Sequence, residues 1–318
     1  MALPDFLIIG VPKAGTTALH TALQAHPRLY LSLVKEPKFF LTDGPPPAAG
    51  GPGDAKTYRE HVWRREDYEA LFEGAPPGAL LGESTPFYLY DRAAQARIHE
   101  AIPHARLIVV LRDPVERAHS NWTHLWSAGL EPIHDVVEAC EAEDSRIAAG
   151  WAHFWHYVSL GRYGEQLGGL FTRFARDQVL ILRYRELIDS PAETLDRICV
   201  FLGVEPGLIT EIPRQNVTAH PSGDVWHRLL GGLRRYLPGG LADPVEHMLQ
   251  RRGDARRPLT WEQRQRLLAH FTDDIALLQR VTGEDFSDWL RPRERSGGMV
   301  GARPRGQRQA RNGRPLRS

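Results

Sequence analysis

The stretch Phe6–Thr17, FLIIGVPKAGTT, constrains this chain more than any other. Its apolar run, Phe6–Gly10, suits a strand buried on both faces. Val11-Pro12-Lys13-Ala14 then forms a loop, Gly15-Thr16-Thr17 closes it, and ALHTALQA continues as a helix. Glycine at both ends lets backbone N–H groups turn inward around an anion, and the helix N-terminus adds its positive end. The nucleotide-triphosphate loop reads G-x-x-x-x-G-K-[S/T]. Here the glycines match, but Thr16 stands where that loop has Lys. Lys13 is the one cation in the loop, so a 5′-phosphate would meet its charge from another direction.

Two more apolar runs, Leu107–Leu111 and Val179–Leu182, suit buried parallel strands. Helix starts are marked at Asp113-Pro114-Val115-Glu116, at Ser190-Pro191-Ala192-Glu193 and at the capping box Thr260-Trp261-Glu262-Gln263. Leu267, Leu268, Phe271, Ile275 and Leu278 predict one helix over Glu262–Arg280. The expected fold class is α/β: a P-loop-like three-layer arrangement with a central parallel sheet covered by helices on both faces. A single domain is predicted over 1–290, with a flexible Pro/Gly loop at 43–55 and a disordered Arg-rich tail at 291–318.

Composition narrows the function. The apolar runs are too short to span a bilayer, so no membrane partner is expected. The N-terminus shows no basic region followed by a long apolar one, and a secretory signal is not expected. Cys140 and Cys199 make neither a disulfide framework nor a zinc pattern, which points to a reducing, cytoplasmic setting. In that setting the glycosylation patterns at Asn121 and Asn216 are incidental. The tail carries +8 and the remaining residues −7, so the body does not suit nucleic acid. The tail reads as a solvated end of a chain with 36 Arg and 4 Lys, the alternative being an electrostatic arm.

A second anion-binding element follows Leu107–Leu111. In metal-dependent P-loop enzymes, the corresponding strand typically ends in an Asp that helps hold Mg²⁺. This one ends in Arg112, whose planar fork suits phosphate, a structural ion pair with a nearby acid being the plainer reading, and Asp113 is better placed as the helix cap. Ser120, eight residues beyond Arg112, adds a hydroxyl. Two phosphate-binding elements without an evident Mg²⁺ ligand suit a nucleotide with two separated phosphate positions.

These residues resemble the sulfotransferases that use 3′-phosphoadenosine 5′-phosphosulfate (PAPS). PKAGTTAL (Pro12–Leu19) is similar to their 5′-phosphosulfate loop, and RDPVERAHS (Arg112–Ser120) to their 3′-phosphate element. KEPKFF (Lys35–Phe40) resembles an element of the heparan-sulfate-type branch and its bacterial relatives. GRYGEQL (Gly161–Leu167) and Val179–Val204 continue the likeness, which covers about residues 5–220. The resemblance implies that Lys13 contacts the bridging and sulfuryl oxygens. Ala14, Gly15, Thr16 and Thr17 would hold the 5′-phosphate, and Arg112 and Ser120 the 3′-phosphate. It places Tyr184 near the adenine, core packing being the other reading. Glu36 is the implied catalytic base, with Phe39 and Phe40 as an apolar wall that would raise its pKa. The plainer reading pairs Glu36 with Lys35 or Lys38, and His119 is a rival base. Ser84 departs from the pattern, standing where several glycosaminoglycan enzymes have Lys, which argues against a polyanionic acceptor.

The expected activity is metal-independent, in-line sulfuryl transfer from PAPS, leaving 3′-phosphoadenosine 5′-phosphate (PAP), to a hydroxyl, or less readily an amine, of a small-molecule or glycan acceptor. A P-loop kinase or nucleotide hydrolase, and an inactive nucleotide-binding interaction protein, are the alternatives. The pairs Trp122/Trp126 and Trp151/Trp155, four apart on helices, either pack in the core or line an acceptor pocket. The 43–55 loop reads either as a lid that closes over an acceptor or as a tolerated insertion.

Overall fold

The computed structural model describes residues 2–213 and 258–291. The predicted tail beyond Arg291 and the pattern at Asn216 lie outside them. Five parallel strands form one sheet in the order β2-β3-β1-β4-β5. They are β1 (Phe6–Gly10), β2 (Leu29–Leu31), β3 (Leu80–Ser84), β4 (Arg106–Leu111) and β5 (Val179–Arg183). Phe6 lies opposite Gly82 of β3 on one side and Arg106 of β4 on the other. The helices are α1 (Thr16–Leu23), α2 (Asp54–Arg59), α3 (Arg65–Ala70), α4 (Arg92–Ala101), α5 (Pro114–Ser127), α6 (Val136–Glu141), α7 (Glu143–Ala148), α8 (Tyr163–Leu170), α9 (Tyr184–Asp189) and α10 (Pro191–Leu202). Helices Trp261–Ala269 and Thr272–Thr282 follow.

Phe6, Leu7, Ile8 and Ile9 are all fully buried. Successive strand side chains point to opposite faces, so both faces of the sheet are covered. The α/β expectation is therefore met. β2 and β3 were not predicted. β2 has three residues, and β3 reads LLGES, where Gly82 and Glu83 break the apolar run. Gly82 is there for space: a Cβ would stand 2.2 Å from the Phe6 ring.

The caps explain most helix starts. Asp113 accepts from Val115 N at 3.0 Å and Glu116 N at 3.2 Å, with Pro114 opening α5. Thr260 and Gln263 form the reciprocal box, both bonds being 3.1 Å. At α10 the prediction fails in detail. The Ser190 side chain caps nothing; its carbonyl accepts from Thr194 Oγ1 at 2.8 Å. The single helix expected over Glu262–Arg280 is also two, broken at His270–Phe271. The break sends the fully buried Phe271 ring against Gly161, where a Cβ would lie 2.7 Å from it. Core burial of one aromatic ring outweighs the helical hydrogen bonds lost at the junction.

Trp122 and Trp126 share a face of α5, both buried and stacked at 5.6 Å. Trp151 and Trp155 do not sit on an α-helix as expected; Trp155 ends a 3₁₀ turn, His153–Trp155. The segment predicted as a loop over 43–55 ends in a helix, since Asp54 opens α2. Asn121 is fully buried and its amide donates to the Phe154 carbonyl at 2.9 Å. Cys140 and Cys199 are buried and unbridged. No helix among the described residues is long and apolar enough to cross a membrane.

Candidate active site

The site lies where open α/β sheets place ligands, beyond the carboxyl ends of the strands. β1 delivers the loop Gly10–Gly15. Lys13 (φ 69°) and Gly15 (φ 81°) both adopt left-handed backbone, which curls the loop toward the start of α1. Gly15 is doubly required, because a Cβ there would also lie 2.9 Å from the Tyr184 ring. It caps α1 without a side chain, so the first-turn N–H groups keep their capacity for an anion. Thr16 is buried and Thr17 half-buried in that turn.

β4 delivers Arg112. Its Nη1 donates to the Lys13 carbonyl at 2.8 Å, and its guanidinium lies over the Tyr184 ring at 5.0 Å. Glu116, one turn along, is 3.7 Å from Nη2. Ser120 follows Glu116 by another turn on the same stripe of α5, which places it in line with Arg112. The structure thus brings together Lys13, Ala14, Gly15, Arg112 and Tyr184, with Ser120 on the adjoining helix face. Arg117, in the same motif, turns inward instead. It is fully buried and donates to Asn121 Oδ1 at 3.0 Å and to the Tyr157 carbonyl.

A cavity of about 600 Å³ opens beside this loop, lined by Arg112, Tyr184, Arg185, Ile188 and Trp289 among others. That volume falls in the range of small-molecule sites, roughly 300–1,000 Å³. Tyr184 is half-buried against it, so it bounds the cavity as well as packing on Gly15. Trp289 was not singled out in the sequence. It lies over a hundred residues from Tyr184, and the packing of the C-terminal segment against Tyr163 and Arg183 brings it here. The cradle with its two cations, Lys13 and Arg112, is the part of this end suited to an anion, while the cavity wall sets Arg112, Arg183 and Arg185 against Asp113, Glu116, Asp189 and Asp288.

Glu36 approaches from the other side. Its N–H donates to the Ser84 carbonyl at the end of β3, at 3.0 Å, and its φ is 58°. Lys38, also left-handed at 61°, is held by Thr85, its N–H reaching Oγ1 at 3.3 Å. The carboxylate of Glu36 pairs with Lys35, the plainer of the two sequence readings. Phe39 and Phe40 pack elsewhere than expected: Phe39 stacks on Tyr68 at 4.2 Å, and Phe40 meets Tyr68 and Tyr88 edge-on.

Electrostatics tie these groups together. Burial and the nearby Arg112 lower the pKa of Lys13, while the Glu36 carboxylate acts in the opposite direction. Glu36 is therefore within electrostatic reach of Lys13. His119 is lowered by burial and senses Glu116 and Arg112, so it belongs to the Arg112 end. His124 is the histidine that senses Lys13 and Glu36; desolvation and Lys13 push it down to about 4. It was not singled out in the sequence, where it is one of 14 histidines without distinguishing spacing. Glu83 is a fully buried carboxyl at the end of β3. Burial pushes it up to about 7, against hydrogen bonds from Thr85 at 3.0 Å and Tyr68 at 3.3 Å. Among the described residues no cluster of three or more His, Cys, Asp or Glu side chains is arranged for a metal ion.

Residues 4–206 match the model of the sulfotransferase family. Heparan sulfate glucosamine 3-O-sulfotransferase 3B1 of Mus musculus is 32% identical over 204 residues, 64% of this chain and 47% of that protein. Carbohydrate sulfotransferase 15 of Mus musculus is 27% identical, over 70% of this chain and 49% of that protein. The chain thus spans about half the length of these relatives. A crystal structure of a sulfotransferase from Alicyclobacillus acidocaldarius superposes with a TM-score of 0.74 at 26% identity, covering 92% of this chain and 100% of that one. With more than half of its length matched by one family model, the chain belongs to the sulfotransferase family.

Proposed function

We propose that the chain transfers a sulfuryl group from PAPS to a hydroxyl of a small-molecule or glycan acceptor, without a metal ion. The observation that carries this reading is the bond from Arg112 to the Lys13 carbonyl, which locks the two anion-binding elements into one cradle. A glycan acceptor is supported by the kinship with heparan sulfate and carbohydrate sulfotransferases.

In this reading Arg112 and Ser120 hold the 3′-phosphate, and the first turn of α1, with Thr16 and Thr17, holds the 5′-phosphate. PAPS supplies the sulfuryl group and a phosphate leaving group. Lys13 neutralises the charge that grows on the leaving phosphate oxygen as the S–O bond breaks. Its ammonium is disfavoured by burial and by Arg112, so a bound anion relieves that cost. Glu36 takes the proton from the acceptor hydroxyl as the new O–S bond forms, and Lys35 orients its carboxylate. The left-handed turn at Glu36, fixed by the Ser84 carbonyl, sets where that carboxylate can reach.

The test compares the rise in melting temperature given by PAP with that given by ATP plus Mg²⁺. Turnover of PAPS is then measured with and without a chelator. Preference for the bisphosphate and chelator-resistant turnover support the reading. Preference for ATP with Mg²⁺, or chelator loss restored by Mg²⁺, overturns it.

A further inference from the structure

Beside the Glu36–Lys38 turn lies a second cavity, of about 280 Å³, lined by Lys38, Thr42, His61, Phe87, Trp151 and His156 among others. It lies just under the roughly 300–1,000 Å³ of drug-sized sites, which suits one or two rings rather than a chain. Lys38 stands two residues from Glu36 and feels its charge. His124, which senses both Lys13 and Glu36, packs edge-on against Phe154 of the same wall at 5.4 Å. The cavity therefore adjoins the Lys13–Glu36 end of the site.

Its wall is nearly neutral. Lys38 is its one cation and Asp91 its one acid. His156 has both ring nitrogens engaged: Nε2 lies 3.2 Å from the Trp151 carbonyl, so it donates, and Nδ1 accepts from Tyr90 at 2.9 Å. Burial pushes His61 and His156 down to about 4, and lowers His153. At neutral pH none of the three offers a charge to a sulfate or carboxylate. Two polar atoms in this wall, Thr42 Oγ1 and His61 Nδ1, are buried without a hydrogen-bond partner among the described residues. Such atoms are costly until something satisfies them. Half-buried Trp151 adds an aromatic face.

We propose that this cavity is the acceptor subsite and takes a single uncharged, hydroxyl-rich ring. The ring rests on Trp151, and Thr42 and His61 turn to hydrogen-bond its hydroxyls. This deepens the sulfotransferase reading and rests on it. A polyanionic acceptor would meet a single lysine, Lys38, offset by Asp91, which is too little positive charge for several anionic groups.

Calorimetry on the full chain, saturated with PAP, tests this with three probes: methyl β-glucoside, a heparin-derived disaccharide and 2-naphthol. The glucoside is expected to bind at least tenfold more tightly than either of the others. Thr42→Val should weaken it about tenfold while leaving bisphosphate affinity unchanged, and His61→Phe should do the same. Tighter binding of the anionic disaccharide or the naphthol overturns the proposal, as does an unaltered glucoside affinity in both variants. Bisphosphate titrated alone separates the two readings. If it fails to bind, the sulfotransferase reading falls. If it binds and the glucoside does not, only the acceptor assignment falls.

Discussion

Arg112, at the end of β4, donates a hydrogen bond to the carbonyl of Lys13, in the loop after β1, at 2.8 Å. One side chain thus braces the phosphate loop while presenting its own charge to the same space. The guanidinium also covers Tyr184, whose ring in turn lies under Gly15. Loop, strand end and α9 therefore form one unit, and disturbing any member is felt at the others.

Arg112→Ala removes a charged donor and the brace together. PAP affinity measured by calorimetry should fall roughly 10- to 100-fold, the cost of one or two charge-assisted hydrogen bonds. Arg112→Lys should recover only part of it, because an ammonium cannot reproduce the planar fork. Full affinity in Arg112→Ala would show that the 3′-phosphate is held elsewhere.

Lys13 should give nucleotide binding an alkaline limit. Its folded pKa lies below the ordinary 10.5 because of burial and Arg112, so it loses its charge earlier than a free lysine as pH rises. Bisphosphate affinity should decline with pH before 10.5 is reached. The sign for stability is opposite: the unfolded chain binds the extra proton, so Lys13 adds stability as pH rises through that window. Lys13→Arg should remove the alkaline decline in affinity. An unchanged pH profile would place the decline on another group.

Glu83 should tilt stability in the other direction. Its folded pKa, about 7, exceeds its ordinary 4.5, so the native state holds the extra proton between those values. Stability contributed by this group falls as pH rises through the window, by up to about 1.4 kcal/mol per pH unit. Glu83→Gln removes the titration while keeping an acceptor for one of the two hydroxyls, since Thr85 donates to one carboxylate oxygen and Tyr68 to the other, and should flatten the curve. Denaturant titrations of both proteins from pH 4.5 to 8 measure the difference; parallel curves would mean that Glu83 stays ionised.

Asp54 should govern the acceptor side alone. It accepts from Gly51 N at 2.6 Å, Ala152 N at 2.7 Å and Trp155 Nε1 at 3.0 Å, tying the Pro/Gly segment to the wall that carries Trp151. Asp54→Ala should raise acceptor KM several-fold, with bisphosphate affinity unchanged. A matching loss of bisphosphate affinity would show that the segment supports the whole site.

Much of the fold was legible because its signals are local. A buried parallel strand needs an unbroken apolar run, and Phe6–Gly10 and Leu107–Leu111 have one. Asp113 and Thr260 announce helices because a cap acts on the next three residues. β3 escaped because Gly82 answers to a ring on β1, seventy-six residues away. The break at Phe271 escaped because its cause is a pocket beside Gly161.

Residue order alone therefore determined the α/β class, the glycine-bounded loop around Lys13, and Arg112 at the end of its strand. These depend on neighbours along the chain, or on one residue at a strand end. Tertiary structure decided which groups share an environment: Glu83 rather than Glu36 in the dry interior, His124 rather than His119 near Lys13, and Trp289 on the nucleotide cavity. Desolvation and charge coupling depend on distance in space, and the folded chain sets those distances independently of separation along the sequence.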